Sequence, residues 1–317
     1  MDERRNQFIN RTAQLWGYDL DATRQLLSIR PIKAIRLNLN RDLNNTISEL
    51  STTVPDVFKI DWAPHTYYSE SLNKPSGLKL FKNQDIVIQN SSSFCPVLNL
   101  DPKKGDKILD LCAAPGLKTS HISDMCNNEA EIIANDLSRA RYRKMELFFN
   151  TYGCNINSIN NDGRTLANKP MYAGYFDKIL VDAPCSGEAN ININVDKDFS
   201  DWSLKNIKRL QSLQLSLLKT AYKLVKNGGT IVYSTCTINA EENEIVVSKF
   251  LKSHNCILQS TIAGDLPTIK VNQSSINISV ENDILNKCTR IIPSKYNEAF
   301  FVAKILKIEE DEFSYDK

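Results

Sequence analysis

The chain has 317 residues, 42% of them hydrophobic and 24% charged, with a formal net charge of +2; that length predicts two unequal domains. No apolar run approaches the roughly 18 to 20 residues of a membrane span, and the start MDERRNQFINR lacks an apolar signal core, so a soluble, cytoplasmic protein with no membrane partner is expected. The eight cysteines (95, 112, 126, 154, 185, 236, 256 and 288) include no C-x-x-C pair, which argues against a disulfide framework or a zinc knuckle.

Helical periodicity over about 3–15 and 19–29 leads into AIRLNLN (34–40), whose alternation predicts a half-buried strand. Residues 1–41 hold eight basic side chains, Arg4, Arg5, Arg11, Arg24, Arg30, Lys33, Arg36 and Arg41, against four acids. Singly these read as a solvated helix face; as a cluster they are compatible with phosphate contacts. WAPHTYY (62–68) and LKLFKNQDIVIQ (78–89) complete a small α+β unit assigned to residues 1–100, ahead of a catalytic domain at 101–308 and an acidic tail at 309–317.

From about Gly105 onward, apolar runs alternate with helical segments: KILDL (107–111), EIIAND (131–136), DKILVD (177–182) and GTIVYST (229–235) are each followed by a helix pattern. The segment 203–226 carries Leu204, Ile207, Leu210, Leu213, Leu217, Leu218, Ala221 and Leu224 on one stripe. This order predicts an α/β fold with a mostly parallel sheet covered on both faces. EAFFVAKIL (298–306) reads as a late edge strand, antiparallel, with TRIIP (289–293) as its partner; VNQSSINISVEN (271–282) reads as a loop.

In an open parallel sheet, ligands bind beyond the carboxyl ends of the strands, so the loops after these four strands should face one crevice. Cys112-Ala113-Ala114-Pro115-Gly116-Leu117-Lys118 follows the first. Its small residues let a ligand approach the backbone, and its single glycine disfavours a dinucleotide. Asp136 ends the second strand, 20 residues after Gly116, a spacing suited to a ribose diol. Asp162 opens Asp-Gly-Arg, an adenine contact or an ordinary turn. Asp182-Ala-Pro-Cys185 and Ser-Thr-Cys236 follow neighbouring strands. A lone buried cysteine is usually packing, but two thiols facing one crevice point to chemistry. The helix beginning near Ala240, with Glu241 and Glu242 in its first turn, is expected to lower the thiol pKa of Cys236.

At these residues the chain resembles the Sun/RsmB family of RNA cytosine-5 methyltransferases, most nearly its RsmF-like members. The matching stretches are LDLCAAPGLKT (109–119), NDLSRAR (135–141), NDGR (161–164), VDAPCSGE (181–188) and GGTIVYSTCTINAEENE (228–244), with weaker likeness at RPIKAIRLNLN and VIQNSSSFCPVLNLDP. The resemblance implies a Rossmann-like seven-stranded S-adenosylmethionine methyltransferase sheet preceded by a small RRM-like domain for RNA recognition. It implies that Cys112 to Lys118 form the cofactor loop, that Asp136 takes the ribose hydroxyls and that Asp162 lies near the adenine. It places Asp182 between the methionine moiety and the base, makes Cys236 the nucleophile and gives Cys185 a part in product release.

The implied chemistry requires such residues. A thiolate adding to cytosine C6 makes C5 able to accept a methyl group, and the base must leave its stack to reach the thiol. Two departures stand out: Leu117 replaces a family glycine, and ANININVDKD (189–198) replaces glycine and basic residues where RNA would pass. The expected function is methylation of cytosine C5 in RNA by a monomer, with rRNA preferred over tRNA. A non-catalytic RNA-binding or ribosome-assembly factor of the same fold is the alternative, and a nicotinamide enzyme a distant third.

Overall fold

The structure is a computed structural model that describes residues 2–72, 74–271 and 280–309. Most of the loop read at 271–282 and of the acidic tail lies outside those residues.

The first unit beyond the N-terminal helices α1 (Asp2–Trp16) and α2 (Leu20–Ser28) runs β1 (Ala34–Leu37), α3 (Leu43–Thr53), β2 (Phe58–Lys59), β3 (Thr66–Tyr68), α4 (Lys79–Lys82), β4 (Ile86–Gln89). These strands form an antiparallel sheet in the order β2-β3-β1-β4, a βαββαβ arrangement matching the expected RRM-like unit. Strand alternation sorts its side chains. Ile35, Leu37 and Ile86 pack with Leu50, Val54 and Leu80 of the helical layer, whereas Ala34 and Tyr68 pack with Phe94.

Contrary to the half-buried strand expected, all four residues of β1 are buried. Arg36 is 1% exposed because its guanidinium bonds Asp124, Tyr152 Oη at 2.9 Å and Ser120 Oγ at 2.6 Å. The face that an RRM offers to RNA is therefore docked on the larger unit.

That unit comprises α5 (Cys95–Leu100), β5 (Lys107–Asp110), α6 (Leu117–Met125), β6 (Glu131–Asn135), α7 (Arg139–Tyr152), β7 (Asn157–Ile159), β8 (Phe176–Asp182), α8 (Leu204–Leu224), β9 (Val225–Thr235), α9 (Glu244–Leu251), β10 (Cys256–Gln259), α10 (Asn282–Lys287), β11 (Thr289–Ile291) and β12 (Phe300–Lys307). Its sheet order is β10-β12-β9-β8-β5-β6-β7, with β11 pairing another part of β12. Strands β5 to β9 are parallel, and β12 runs antiparallel between β9 and β10. The strand read as an edge is thus interior, which its near-continuous apolar sequence explains; the TRIIP pairing is as expected.

Both faces of the large sheet are covered. Leu109, Ile179, Val181 and Ile231 enter one core cluster, while the alternating Ile108, Leu180 and Val232 enter another. The α8 stripe apart from Leu210 packs in the first cluster, as do Phe8, Leu15, Trp16 and Leu27 of α1 and α2. The N-terminal helices therefore pack with the large sheet, not the small one.

Candidate active site

Five parallel strands end at one edge, and their loops meet there. A cavity of about 320 Å³ is lined by Cys112, Ala113, Ala114, Pro115, Leu117, Lys118, Asp182 and Cys236, together with Asp110, Lys33, Gln89, Asn90, Asn190 and Glu298. Gly116, Asp136, Asp162 and Cys185 stand outside that lining.

The loop after β5 is shaped for close backbone approach. Gly116 has φ +102°, and a Cβ there would lie 2.7 Å from Phe149 Cε1. Asp136, 4% exposed, accepts from Ala114 N at 3.2 Å and from Ser138 N at 2.9 Å, tying the loop to the start of α7. Asp162 accepts from Arg164 N at 3.0 Å and pairs with its guanidinium at 2.6 Å, the hydrogen bonds that lower its pKa. Asp110 takes a 2.7 Å bond from Thr119 Oγ1 on one oxygen, while its buried Oδ1 has no partner; burial pushes its carboxyl up to about 7. Burial also raises the Cys112 thiol, with Asp110 adding to the effect.

The reactive groups stand on β8 and β9. Asp182 accepts from Lys118 Nζ and from Ser234 Oγ, each at 2.8 Å. Burial opposes the Lys118 charge, but Asp182 outweighs it and the pKa rises. Cys185 and Cys236 approach to 3.4 Å between their sulfur atoms. The hydrogen bond between them lowers the Cys236 pKa, with the Lys118 charge assisting against burial and Asp182; Cys185 is raised by the same bond and by burial. Either sulfur can donate while both are thiols, and the Lys118 charge favours Cys236 as the one that ionises.

The expected helix-terminus effect is replaced by this local pairing, since α9 starts at Glu244, eight positions beyond Cys236. Glu241 instead pairs with Arg11, and Glu242 is buried among Ser186, Asn239 and Gln214, where desolvation raises its pKa. Glu188 accepts from Trp202 Nε1, Thr237 Oγ1 and the Ile238 and Asn239 amides. These two carboxylates hold the Cys185 and Cys236 loops together.

The geometry agrees with three comparisons. The model of the 16S rRNA methyltransferase RsmB/F family matches residues 97–306. The chain belongs to the RsmB/F family. Among curated RsmB/F-like relatives, the tRNA (cytosine(49)-C(5))-methyltransferase of Pyrococcus abyssi is 34% identical over 288 residues, 88% of each chain. The ribosomal RNA small subunit methyltransferase F of Escherichia coli is 33% identical over 88% of this chain, which spans only 58% of that protein. A crystal structure of a methyltransferase homologue from Pyrococcus horikoshii matches with TM-score 0.79 and 28% identity over 94% of both chains.

In this RsmB/F chain the ANININVDKD departure puts Asn190 in the cavity wall, and most of its remainder serves packing. Ile191 and Ile193 are buried in the core, Asp196 pairs with Arg5, and Asp198 lies 3.8 Å from Arg30. Other members of the N-terminal basic cluster pair elsewhere in the chain: Arg24 with Asp21 at the surface, Lys33 with Glu298, Arg36 with Asp124, Arg41 with Asp85. Lys33, Asn90 and Glu298 form a bonded wall of the cavity that the motifs gave no reason to expect.

Proposed function

We propose that this protein methylates cytosine C5 in RNA through a covalent adduct on Cys236. The observation that carries this reading is a thiol with a lowered pKa, hydrogen-bonded to a second thiol, in one cavity with the Lys118–Asp182 pair and the Cys112–Lys118 loop.

S-adenosylmethionine fits the cofactor role and, when bound, supplies the electrophilic methyl group. A cradle closed to any side chain at Gly116 and the unpaired Oδ1 of Asp110 support that fit. Cys112 to Lys118 would hold the cofactor along the loop. Asp136 would hold its ribose and Asp162 its adenine, each giving up some present hydrogen-bonding capacity.

Cys236 Sγ, as thiolate, adds to C6 of the extruded base and leaves C5 electron-rich. Asp182, fixed by Lys118 and Ser234, accepts from the exocyclic amino group of the cytosine and so stabilises the adduct. After transfer, Cys185 assists release: the C5 proton leaves to a base, its bonding pair forms the C5–C6 double bond, and the C6–S bond breaks to return the Cys236 thiolate.

The preferred substrate is rRNA, in line with the family description. A tRNA substrate is the second reading, favoured by the match over 88% of both chains to the Pyrococcus abyssi relative. We infer that it acts as a monomer in the cytoplasm. Among the described residues no helix is long and apolar enough to cross a membrane.

The test is to incubate the protein and Cys236→Ala with labelled S-adenosylmethionine and total RNA, then map 5-methylcytosine by bisulfite sequencing. Labelling of rRNA or tRNA by the wild type alone is expected. Intact cofactor binding with no labelled RNA would overturn the reading.

A further inference from the structure

Gln89 ends β4 and is 5% exposed, yet neither Oε1 nor Nε2 of its carboxamide has a hydrogen-bond partner. A buried amide left unpaired is costly, and folded proteins rarely retain one without a use for it. It lines the cavity that holds Lys118, Asp182 and Cys236.

Two observations place it on a particular side of that cavity. The alternation of β4 puts Ile86 in the helical layer of the small sheet, and Gln89, three positions on, on the opposite face, which meets the large unit. The adjacent Asn90 hydrogen-bonds Glu298, two residues before β12, and Lys33 bonds both. Strand β12 neighbours β9, which leads into Cys236, whereas Asp136 and Asp162 lie beyond β6 and β7 at the other end of the sheet order. Gln89 thus stands on the thiol side of the crevice, away from the side assigned to the adenosyl group.

Resting on the proposed cytosine methylation, we infer that Gln89 is a base-positioning and specificity-determining residue, its carboxamide pairing with the polar edge of the extruded cytosine opposite the Lys118–Asp182 pair. A carboxamide presents a donor beside an acceptor, and its Nε2–H can donate to the O2 and N3 side of the cytosine, leaving the amino group to Asp182. Within the protein neither amide atom has a partner, and a base seated in the cavity supplies the acceptor that Nε2 lacks once the side chain turns toward it. The residue comes from the small N-terminal unit, so that unit supplies a group to the site even though its sheet face is covered.

The test uses the full chain and an RNA transcript carrying the cytosine mapped by bisulfite sequencing, in single-turnover methyl transfer with saturating cofactor. Gln89→Leu should slow transfer at least about 10-fold, the effect of losing a buried hydrogen bond to the reacting base. Affinities for S-adenosylmethionine, by calorimetry, and for RNA, by filter binding, should stay within about twofold, since neither depends on that bond. Gln89→Glu keeps the shape and remains informative if the leucine variant folds poorly. Protonation of the introduced carboxyl restores the donor, so the activity of this variant relative to wild type should rise as pH falls from about 8 to about 6.

Wild-type transfer by Gln89→Leu, or a Gln89→Glu ratio that does not change with pH, overturns the assignment. A fall in S-adenosylmethionine affinity matching the fall in rate overturns it in favour of a cofactor contact. If the wild type itself methylates no RNA, the cytosine reading fails first and the base assignment falls with it.

Discussion

The sulfur atoms of Cys185 and Cys236 lie 3.4 Å apart, on loops that follow the paired strands β8 and β9. The hydrogen bond with Cys185 lowers the Cys236 pKa, and the thiolate fraction grows as pH rises through that lowered value. Cys236→Ala should abolish methyl transfer. Cys185→Ala should still form the C6 adduct but release it slowly, leaving a retarded protein–RNA band on a denaturing gel. Loss of the donor should also move the rising limb of adduct formation to higher pH. Trapping by Cys236→Ala instead would mean that the two roles are exchanged, and an unmoved pH limb would deny Cys185 the donor role.

Asp182 is held at 2.8 Å by both Lys118 and Ser234, so its orientation toward a bound base is set before the base arrives. Such preorganised groups typically contribute about 10²-fold or more to rate. Asp182→Asn should lower single-turnover methyl transfer by that order while leaving the fold intact by circular dichroism. Lys118→Met removes a charge that lowers the Cys236 pKa, so it should also shift the pH limb upward. A full-rate Asp182→Asn enzyme would remove the residue from the chemistry.

The strand-end loops were legible because parallel-sheet topology fixes where they point, whatever the packing details. Cys112, Lys118, Asp182 and Cys236 therefore read as one crevice from the sequence alone. What sequence could not give was pairing across distant segments. Arg36 looks like one of eight similar cations until Asp124, 88 positions away, is seen to take it. Glu242 looks like a first-turn helix acid until Ser186, Asn239 and Gln214 close around it. The alternation of AIRLNLN suggested one wet face, and the docked larger unit makes both faces dry. Gln89 and Asn90 lay inside a stretch already resembling the family, but nothing in their spacing marks a buried, unpartnered amide.

Gly116 carries the conformation on which the cofactor loop depends. Alanine there would meet Phe149 Cε1 at 2.7 Å and Met145 Cγ at 3.1 Å while holding φ +102°. Strain of this kind costs about 1–3 kcal/mol. Gly116→Ala should lower the unfolding midpoint in the absence of cofactor, and the stabilisation conferred by S-adenosylmethionine should shrink as the loop distorts. Thermal melts with and without cofactor measure both effects. An alanine variant equal to wild type in both would show that the backbone relaxes freely there.

The Arg36–Asp124 pair bonds the small sheet to the large unit with both side chains 2% exposed, and Tyr152 Oη donates to the same carboxylate oxygen at 2.7 Å. Burial raises the Asp124 carboxyl to about 6 against the opposing pull of Arg36 and Tyr152. Arg36→Met would fill the space with an apolar chain but leave the carboxylate without its cation, a change that typically costs about 3–5 kcal/mol. The sign of the pH effect follows from the raised pKa. Below about 6 the carboxyl is protonated in the folded protein and needs no counter-charge, so the deficit of the variant should be smallest in acid and grow as pH rises. Urea unfolding of wild type and Arg36→Met at two pH values on either side of that midpoint measures it. A deficit that stays constant, or shrinks as pH rises, would show that the guanidinium stabilises the interface through Ser120 and Leu117 and not through the Asp124 charge.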